Sequence, residues 1–349
     1  MPAPAIWFPT VRTNTGTDVF TQRLVKGLNE QGIQAEITWL PLRAEYAPWT
    51  VPVPEAPAWA TVVHVNTWLH PRFIPRDLPL VATIHHAIHH PDARSYKGWL
   101  RAAYHKHWIA PIERGVMQRA DKVIAVSQFV ADSAKQTLVD VPMQIIHNGI
   151  DTDVFKPGNR VRNPGEPFRL LYVGGWKTLK GVDLLAPIMR ELGEGYELHY
   201  TGGFAAEVDK PDMPSNMHDL GRLNQAEVIQ AMQNADAFLF PSRSEGLPQV
   251  VIEAMACGLP VVATGGTAVD EVVQHGRNGY LCEGKQPQQL AQMVRGTSST
   301  WPQLRQIARA RVCERFDYGS MLTGYSALYE RLLLQSEIVT NKDCAKANT

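Results

Sequence analysis

Two successive sets of short apolar runs, each alternating with longer helix-period segments, constrain the fold of this chain most. The first set predicts strands at residues 5–8, 35–40, 62–66, 80–85, 122–126 and 143–147. Residues 18–31 place Val19, Leu24, Val25 and Leu28 at helical spacing, and Gly32 can end that helix. Such alternation is typical of a parallel sheet with helices on both faces.

The alternation stops at residues 156–168, KPGNRVRNPGEPF, which carry Pro, Gly and Asn without periodicity and predict an interdomain linker. It restarts with predicted strands at residues 169–173, 196–201, 217–220, 237–241, 259–263 and 280–282, and helices at 181–192, 225–234 and 248–257. The predicted fold is therefore α/β, with two Rossmann-like doubly wound domains facing a cleft. Ligands of such sheets lie beyond the carboxyl ends of the strands.

The composition argues against several classes of protein. With 34 basic and 34 acidic residues the formal net charge is zero, so we expect no nucleic-acid partner. The cysteines are scattered without a CxxC pair, which fits a reducing compartment better than a disulfide scaffold or a zinc site; they are Cys257, Cys282, Cys313 and Cys344. The N-terminal MPAPAIWFPT has no signal-peptide pattern, and no apolar run approaches a membrane span. We expect a cytoplasmic protein.

The segment DAFLFPSRSEGLPQVVIEAMACGLPVVA, residues 236–263, predicts an anion site. An apolar strand ends at Pro241, and the polar loop 242–247 follows at the ligand edge of the sheet. Pro248 suits the first position of a helix, and Gly258 suits its carboxyl-terminal cap. A loop that leads into a helix N-terminus offers backbone amides and the positive end of the helix dipole, which favours a diphosphate.

Two carboxylates, Glu245 and Glu253, flank that helix start. Glu253 lies among apolar neighbours, where an unpaired carboxylate is costly, so a hydrogen-bonding task is expected, and sugar hydroxyls are suitable donors. The alternative is that Glu253 forms a salt bridge with a neighbour and Glu245 is solvated.

The stretch EGLPQVVIEAMACGLPVV resembles the EX7E signature of the retaining GT-B glycosyltransferases of family four. The residues that fit are Glu245, Gly246, Leu247, Glu253, Ala254, Met255, Ala256, Gly258, Pro260 and Val261. The resemblance implies transfer of a sugar from a UDP- or GDP-linked donor to a glycan or lipid-linked acceptor, in cell-surface polysaccharide or glycolipid synthesis, with no metal or other cofactor. It implies that Glu253 holds the ribose, that Glu245 contacts the donor sugar, and that the amides of Gly246 and Leu247 lie near the phosphates.

Residues 172–181, YVGGWKTLKG, resemble the family stretch that holds the donor diphosphate. Lys180 and Gly181 match its end, and Gly174 precedes the position of the family's arginine, where this chain has Gly175. Lys177 or a residue of the first domain is expected to replace that charge. The alternative for a lysine near a helix start is ordinary solvation.

Two further stretches of the second half resemble family segments around the donor. Gly221, Arg222 and Leu223 are implied to lie near the base, although Asn224 and Glu227 also predict an ordinary turn with a capping box. The residues Gly265 and Gly266 are implied to face the donor sugar, and a tight turn is the alternative.

The first half carries weaker resemblances. Gly16, after the first strand, stands in the family's glycine-rich loop, where Thr15 replaces the usual second glycine. His85, at the end of the strand VATIH, matches a histidine that contacts the donor sugar, with His86 in place of an aspartate; the alternative is a plain core-edge histidine. A metal on the run 85–90 is rejected, because alternation along a strand sends His85 and His86 to opposite faces.

The resemblance also sets domain limits. Asn148, Gly149 and Asp151 fit the family's P-N-G-V-D segment, with His147 in place of proline, and Ser127 is expected to cap a helix. The predicted domains are an acceptor domain, 1–158, and a nucleotide-sugar domain, 159–317. The helix at 316–334, with Tyr325, Leu328, Tyr329 and Leu332 on one face, is implied to cross back, so that 318–349 joins the first domain.

Residues 94–122 combine seven Lys or Arg with Trp99, Tyr104 and Trp108. This pattern indicates a helix pair touching anionic lipid on the inner face of the plasma membrane, near a lipid-linked acceptor. A solvated helix face with buried tryptophans is the alternative.

Three rival functions were weighed. One is another GT-B enzyme, such as a sugar-nucleotide epimerase or a phosphorylase. A second is a non-catalytic sugar-nucleotide-binding assembly protein, which the absence of the family's arginine at Gly175 favours. The third, a Rossmann dehydrogenase, is disfavoured because no predicted strand is followed by G-x-G-x-x-G.

Overall fold

Six parallel strands form the sheet of the first half of the chain, in the order β2-β1-β3-β4-β5-β6. The computed structural model describes residues 3–91, 96, 98–284 and 286–347, with side chains as far as residue 335. The strands are β1 Ala5–Val11, β2 Gln34–Leu40, β3 Val62–Asn66, β4 Leu80–Ile84, β5 Lys122–Ala125 and β6 Met143–Ile145. Each of the six predicted strands is confirmed; the central strands β3 and β4 are buried on both faces, and the edge strands β2 and β6 are partly exposed.

The helices of this half are α1 Gly16–Glu30, α2 Arg43–Tyr46, α3 Trp99–Tyr104, α4 Ala110–Arg119 and α5 Gln128–Thr137, with a π-helical turn at His105–Ile109 and 3₁₀ turns at Pro48–Thr50 and Pro71–Phe73. Ser127 caps α5 as predicted, since its hydroxyl accepts from the Val130 N–H at 3.1 Å. Gly32 ends α1 as predicted, with φ of +80°. Of the four apolar residues at helical spacing, Leu24, Val25 and Leu28 are buried in α1, whereas Val19 is 44% exposed.

A second parallel sheet follows, in the order β12-β11-β10-β7-β8-β9. Its strands are β7 Phe168–Tyr172, β8 Tyr196–Tyr200, β9 Met217–Asp219, β10 Ala237–Phe240, β11 Val261–Thr264 and β12 Gly279–Cys282. Its helices are α6 Val182–Leu192, α7 Gln225–Gln233, α8 Gln249–Ala256, α9 Val269–Val272 and α10 Pro287–Arg315, with 3₁₀ turns at Thr178–Lys180, Gly203–Ala206 and Lys210–Asp212. Both halves therefore have the predicted Rossmann-like architecture.

The chain divides into one unit of Met1–Asn148 with Gly319–Thr349 and another of Gly149–Tyr318. The first boundary lies ten residues before the predicted limit at 158. Residues 149–155 pair within the second unit: the Ile150 N–H donates to the Phe316 carbonyl, and Ile150 accepts from the Tyr318 N–H, each at 3.0 Å. Arg309 also donates to the carbonyl of Thr152 at 2.8 Å. The second boundary differs from the prediction by one residue.

The C-terminal helix α11, Tyr318–Ala347, belongs to the first unit from Gly319 onward, as the family resemblance implied. The four predicted core residues of this helix are all at most 4% exposed. Tyr329 anchors it, because its hydroxyl lies 2.7 Å from Nδ1 of His64 on β3, whose Nε2 lies 2.7 Å from the hydroxyl of Thr83 on β4. One buried polar chain thus joins the last helix to the centre of the first sheet.

Burial of His64 makes stability pH-dependent. Desolvation lowers the pKa of His64 from 6.5 to about 3. His64 becomes protonated below about pH 6.5 in the unfolded chain but stays neutral in the folded chain. The free energy of unfolding is therefore highest above pH 6.5 and falls as the pH drops. We expect a loss of about 1 kcal/mol from this group between pH 6.5 and 5.5. Urea unfolding of the wild type and of His64→Gln at both pH values checks this, and an equal loss in the variant would contradict it.

Among the helices that the structure describes, none is both long and apolar enough to span a bilayer.

Candidate functional site

The loop of residues 242–247 follows β10 at the carboxyl edge of the second sheet and leads into α8, as predicted. Pro248 is the residue before the helix rather than its first residue, since α8 begins at Gln249. This corrects the predicted position of Pro248 by one, because its ψ of 91° is extended. Gly258, with φ of +79°, ends the helix as predicted: its N–H donates to Met255 and that of Leu259 donates to Ala254.

Glu245, in the middle of this loop, pairs with a lysine of the turn Thr178–Lys180. The ammonium Nζ of Lys180 lies 2.7 Å from Oε1 of Glu245, and the hydroxyl of Ser242 donates to the same oxygen at 2.5 Å. The Glu245 side chain is 10% exposed and that of Lys180 is 32% exposed. Two predicted site residues, 65 positions apart in sequence, therefore meet, and each keeps enough exposure to reach a ligand.

Arg243 holds this arrangement in place, and our reading of the sequence missed it. Its guanidinium binds the Asp183 carboxylate with two hydrogen bonds of 2.6 and 2.7 Å and also donates to the Thr178 carbonyl. The Arg243 N–H donates to the Leu179 carbonyl at 3.0 Å. Arg243 is 7% exposed. Because Thr178 and Leu179 precede Lys180, this fork fixes the turn that presents the lysine to Glu245.

Gly181 lets this turn approach the end of β10. Its φ is +76°, and a side chain there would collide with the Pro241 carbonyl oxygen. The sequence signal for this contact was the Lys-Gly pair of the family stretch. The glycine is required here by both conformation and space.

Glu253 lies on α8, half-buried, four residues before Cys257. Burial, and after it the charge of Glu253, raises the pKa of the Cys257 thiol to about 12. The ribose contact assigned to Glu253 stays a prediction.

In the stretch after β7, two neighbouring glycines differ in the space around them. Gly174 is confined, since a side chain there would lie 2.9 Å from the Tyr172 hydroxyl, which donates to the Gly175 carbonyl at 3.2 Å. Gly175 is exposed with open space around it, and Lys177 is also exposed. The charge that the family places at Gly175 is therefore absent, and no atom of the described chain lies within 4 Å of where a Cβ would be.

The predicted base loop is organised by Asp219 at the end of β9. Its carboxylate accepts from the N–H groups of Gly202, Gly203 and Gly221 at 2.8–3.1 Å. Burial opposes ionisation, but those amides and the Lys210 ammonium at 3.0 Å outweigh it and lower the pKa of Asp219 to about 2. Arg222 is exposed and Leu223 half-buried. The capping box of Asn224 and Glu227 is confirmed, so the loop is held at both ends.

The stretch after β11 forms a tight turn. Gly266 has φ of +83°, and its N–H donates to the Asp270 carboxylate at 2.9 Å. A side chain on Gly265 would also touch that carboxylate, at 3.1 Å. The alternative interpretation of Gly265 and Gly266 as a tight turn is thus confirmed, and their contact with donor sugar stays a prediction.

His85 follows β4 in the first unit and is 9% exposed. The Asn66 amide donates to Thr10 at 3.1 Å, so its oxygen faces Nε2 of His85, 2.9 Å away, and that nitrogen carries the proton. Burial, then His86 and His64, lower the pKa of His85 well below 6.5. The ring is therefore neutral at physiological pH. His86 is exposed, which confirms that the two rings diverge.

A buried carboxylate anchors the loop that follows His85. Glu113 on α4 is completely buried, and it accepts from Thr67 Oγ1 and pairs with His89 Nε2, each at 2.8 Å. Nothing in the local pattern around Glu113 predicted this, because its partners lie 24 and 46 positions away.

Gly16 is the first residue of α1, and the loop before it is already occupied by the chain itself. The buried Asp18 carboxylate accepts from the Thr13 and Asn14 N–H groups at 2.9 and 2.7 Å. These two amides are thus engaged within the loop and not available to a phosphate, which weakens the predicted role of the Gly16 loop in donor binding.

Comparisons with known proteins agree with this geometry. The model for glycosyl transferases group 1 matches residues 167–298, and the model for glycosyltransferase family 4 matches residues 57–154. An uncharacterised glycosyltransferase of Methanocaldococcus jannaschii is 29% identical over 50% of this chain and 49% of its own. A glycogen synthase of Mycobacterium tuberculosis is 28% identical over 77% of this chain and 68% of its own. The chain thus spans between half and about two thirds of these relatives.

Solved structures share the fold. Sucrose-phosphate synthase from Thermosynechococcus elongatus matches with a TM-score of 0.76 at 16% identity, covering 95% of this chain and 100% of its own. Anabaena HepE in complex with UDP and glucose matches with a TM-score of 0.70 at 17% identity, covering 93% and 99%. The two halves of the chain thus carry the domains of glycosyltransferase family 4 and of glycosyl transferases group 1, in the two-sheet GT-B fold that these structures share.

Proposed function

We propose that this chain transfers a sugar from a UDP-linked donor, with retention at the anomeric carbon, to a glycan or lipid-linked acceptor in cell-surface polysaccharide or glycolipid synthesis. The observation that carries the proposal is the contact of Lys180 with Glu245 at the start of α8, with both residues partly exposed. An ammonium beside a helix N-terminus can offset the charge of a departing diphosphate, and a carboxylate can bind sugar hydroxyls.

The proposed donor site has distinct parts. Lys180 and the amides of Gly246 and Leu247 would bind the diphosphate, Glu253 the ribose, and Gly221, Arg222 and Leu223 the base. The Asp219 carboxylate, which holds the base loop by backbone amides, supports this assignment. UDP is preferred to GDP because HepE, of similar fold, was solved with UDP and with UDP-glucose. Leaving-group stabilisation by lysine and amides requires no metal or other cofactor.

A thermal-shift panel of UDP, GDP, ADP and dTDP tests the donor base. A ligand that binds only the folded chain raises the melting temperature with its occupancy. A shift selective for UDP is expected. A shift with GDP alone would move the donor to a GDP-sugar, and no shift with any nucleotide would contradict the proposed donor site. Release of a free nucleotide with formation of a glycosidic product separates the transferase from an epimerase or a phosphorylase.

Restoring the family's arginine gives a gain-of-function prediction. Gly175→Arg adds a guanidinium at an exposed position, where the first side-chain carbon has no neighbour among the described residues within 4 Å. Since a charge-assisted hydrogen bond contributes about 1.5–3 kcal/mol, we expect the donor KM to fall by roughly tenfold. Gly195→Arg, at another exposed glycine with open space in the same unit, is the control and should leave KM unchanged. An unchanged KM in Gly175→Arg would remove this position from the diphosphate site.

We also propose that the first unit contacts anionic lipid at the inner face of the plasma membrane. Trp99 and Leu100 at the start of α3 are 77% and 66% exposed, and Trp49 is 64% exposed. The segments pack together, because Glu45 accepts hydrogen bonds from Tyr104 and Trp108. Of the seven basic residues in the predicted segment, Arg94 and Lys97 lie outside the described residues; Arg101, Lys106 and Arg114 are exposed.

Exposed tryptophans with nearby basic side chains suit an anionic membrane surface. Co-sedimentation with vesicles of phosphatidylcholine, with and without phosphatidylglycerol, tests this. Binding should require the anionic lipid and should be lost in Trp99→Ala/Leu100→Ala. Equal recovery of wild type and variant at low salt would exclude this surface. Val161→Ala, at another exposed apolar residue, is the control.

A further inference from the structure

Three side chains with metal-binding atoms meet on one face of the second sheet. Glu197 and His199 lie two residues apart on β8 and therefore share a face, and His218 on β9 pairs directly with His199. One donor atom from each of the three residues lies within 4.8 Å of the others. β7 separates β8 from β10, so this cluster is not part of the loop that carries Glu245.

The cluster lies on the face opposite the core. Leu198 and Tyr200, which alternate with the two β8 residues, are buried in the apolar cluster beneath α6. The side chains of Glu197, His199 and His218 are 17%, 26% and 49% exposed. An ion could therefore reach them from solvent while two of the three remain well shielded.

The distances fit ligands of one ion better than direct hydrogen bonds. Nε2 of His199 lies 3.5 Å from Oε1 of Glu197, and Nε2 of His218 lies 3.9 Å from Oε2. Usual hydrogen bonds are about 2.7–3.2 Å long. Two ligands that each bind tetrahedral zinc at about 2.0–2.1 Å are separated by roughly 3.3 Å, so small side-chain movements would complete the site.

An arginine next to the cluster holds its carboxylate in place. Arg169 Nε donates to Glu197 Oε1 at 2.5 Å. That contact orients the carboxylate, as outer partners of metal ligands do, and leaves Oε2 toward His218. The positive charge of Arg169 repels a cation and therefore lowers the affinity of the cluster for a metal ion.

We propose that Glu197, His199 and His218 form a binding site for a divalent transition-metal ion, with zinc the ion best suited to two imidazoles and one carboxylate. Three protein ligands leave a fourth position for water or another ligand. The ion would tie the short edge strand β9 to β8. The site is independent of the sugar-transfer chemistry.

The test uses the full chain without a histidine tag, freed of metal by a chelator, with Cys313→Ser and Cys344→Ser to remove thiol ligands. Calorimetric titration with Zn²⁺ should give one ion per chain, and Co²⁺ should give the strong visible absorption of a tetrahedral complex. His218→Ala and His199→Ala should each weaken Zn²⁺ binding at least tenfold. His107→Ala, at an exposed histidine of the first unit, should have no effect.

Failure to bind Zn²⁺ in the parent chain would overturn the proposal, as would unchanged affinity in both histidine variants. Melting temperatures without metal should match among all variants, because the substituted side chains are outside the core. Sugar transfer by His218→Ala should stay within about twofold of the parent at saturating donor, so a failed metal test leaves the transferase proposal untouched.

Discussion

Glu245→Gln should lower kcat for sugar transfer about 10²–10³-fold, the size of effect seen when one electrostatic group at a reacting centre is removed. The substitution keeps the shape of the side chain and removes the charge beside Lys180, 2.7 Å away. The amide can still accept from Ser242. Because the carboxylate is assigned to the donor sugar and not to the nucleotide, the affinity for UDP should stay nearly unchanged.

The matched control is Glu194→Gln, which removes a carboxylate from an exposed position of the same unit and should leave kcat unaltered. Steady-state kinetics gives kcat, and calorimetry with UDP gives the affinity. Full activity in Glu245→Gln would refute its assigned role. An equal loss of kcat and of UDP affinity would instead place Glu245 at the nucleotide.

Gly181→Ala should destabilise the protein by about 3 kcal/mol and should also impair transfer. A left-handed backbone costs alanine about 1 kcal/mol, and the new methyl group collides with the Pro241 carbonyl, which belongs to well-packed chain at the end of β10. Because the packed backbone at Pro241 cannot shift easily, the turn of residues 178–180 would have to move instead. Lys180 would then leave Glu245, so kcat should fall together with stability.

Gly175→Ala is the glycine control, because its added methyl group meets open space. Urea unfolding of both variants beside the wild type gives the comparison, and the control should differ from wild type by less than about 1 kcal/mol. A stability of Gly181→Ala close to that of the control would show that the turn adapts. The coupling of Gly181 to Lys180 would then be wrong.

Local pattern predicted the twelve strands because most of them are short, mainly apolar runs with a polar boundary, although β8 and β9 carry Glu197, His199 and His218. Errors at their ends have local causes. The strand predicted to begin at residue 259 begins at Val261, since Leu259 completes the cap of α8. Several predicted strands ran one residue too far, as at His85, where an aromatic ring continues an apolar run after the sheet has ended.

The candidate site was predictable where the residues lie in one motif and unpredictable where they meet across the chain. Glu245 and Lys180 were each recognised from separate stretches, but their mutual contact depends on Arg243 and Asp183, 60 positions apart. The buried Arg243 gave one usable signal: an arginine three residues after a buried strand needs a partner if it is buried too. Which aspartate it would find depends on the packing of the turn on β10.

Neither the domain boundary at residue 148 nor the histidine–glutamate cluster was predicted from the sequence, and the reason is the same for both. Ile150 joins the second unit through hydrogen bonds to residues 316–318. His218 meets Glu197 only because β9 pairs with β8 in a particular register. Neither contact is indicated by the pattern of the neighbouring residues. Alternation along one strand bears on the histidines at 85–90 and says nothing about His199 and His218, which lie on two different strands.

The central claim is that the second unit binds the nucleotide of a sugar donor through Glu253, and calorimetric titration with UDP tests it most directly. The wild type should bind one UDP per chain in the micromolar range typical of substrates, and Glu253→Ala should bind at least about tenfold more weakly while melting at a similar temperature. A wild-type chain that binds neither UDP nor GDP, or a Glu253→Ala variant with wild-type affinity, would contradict the account.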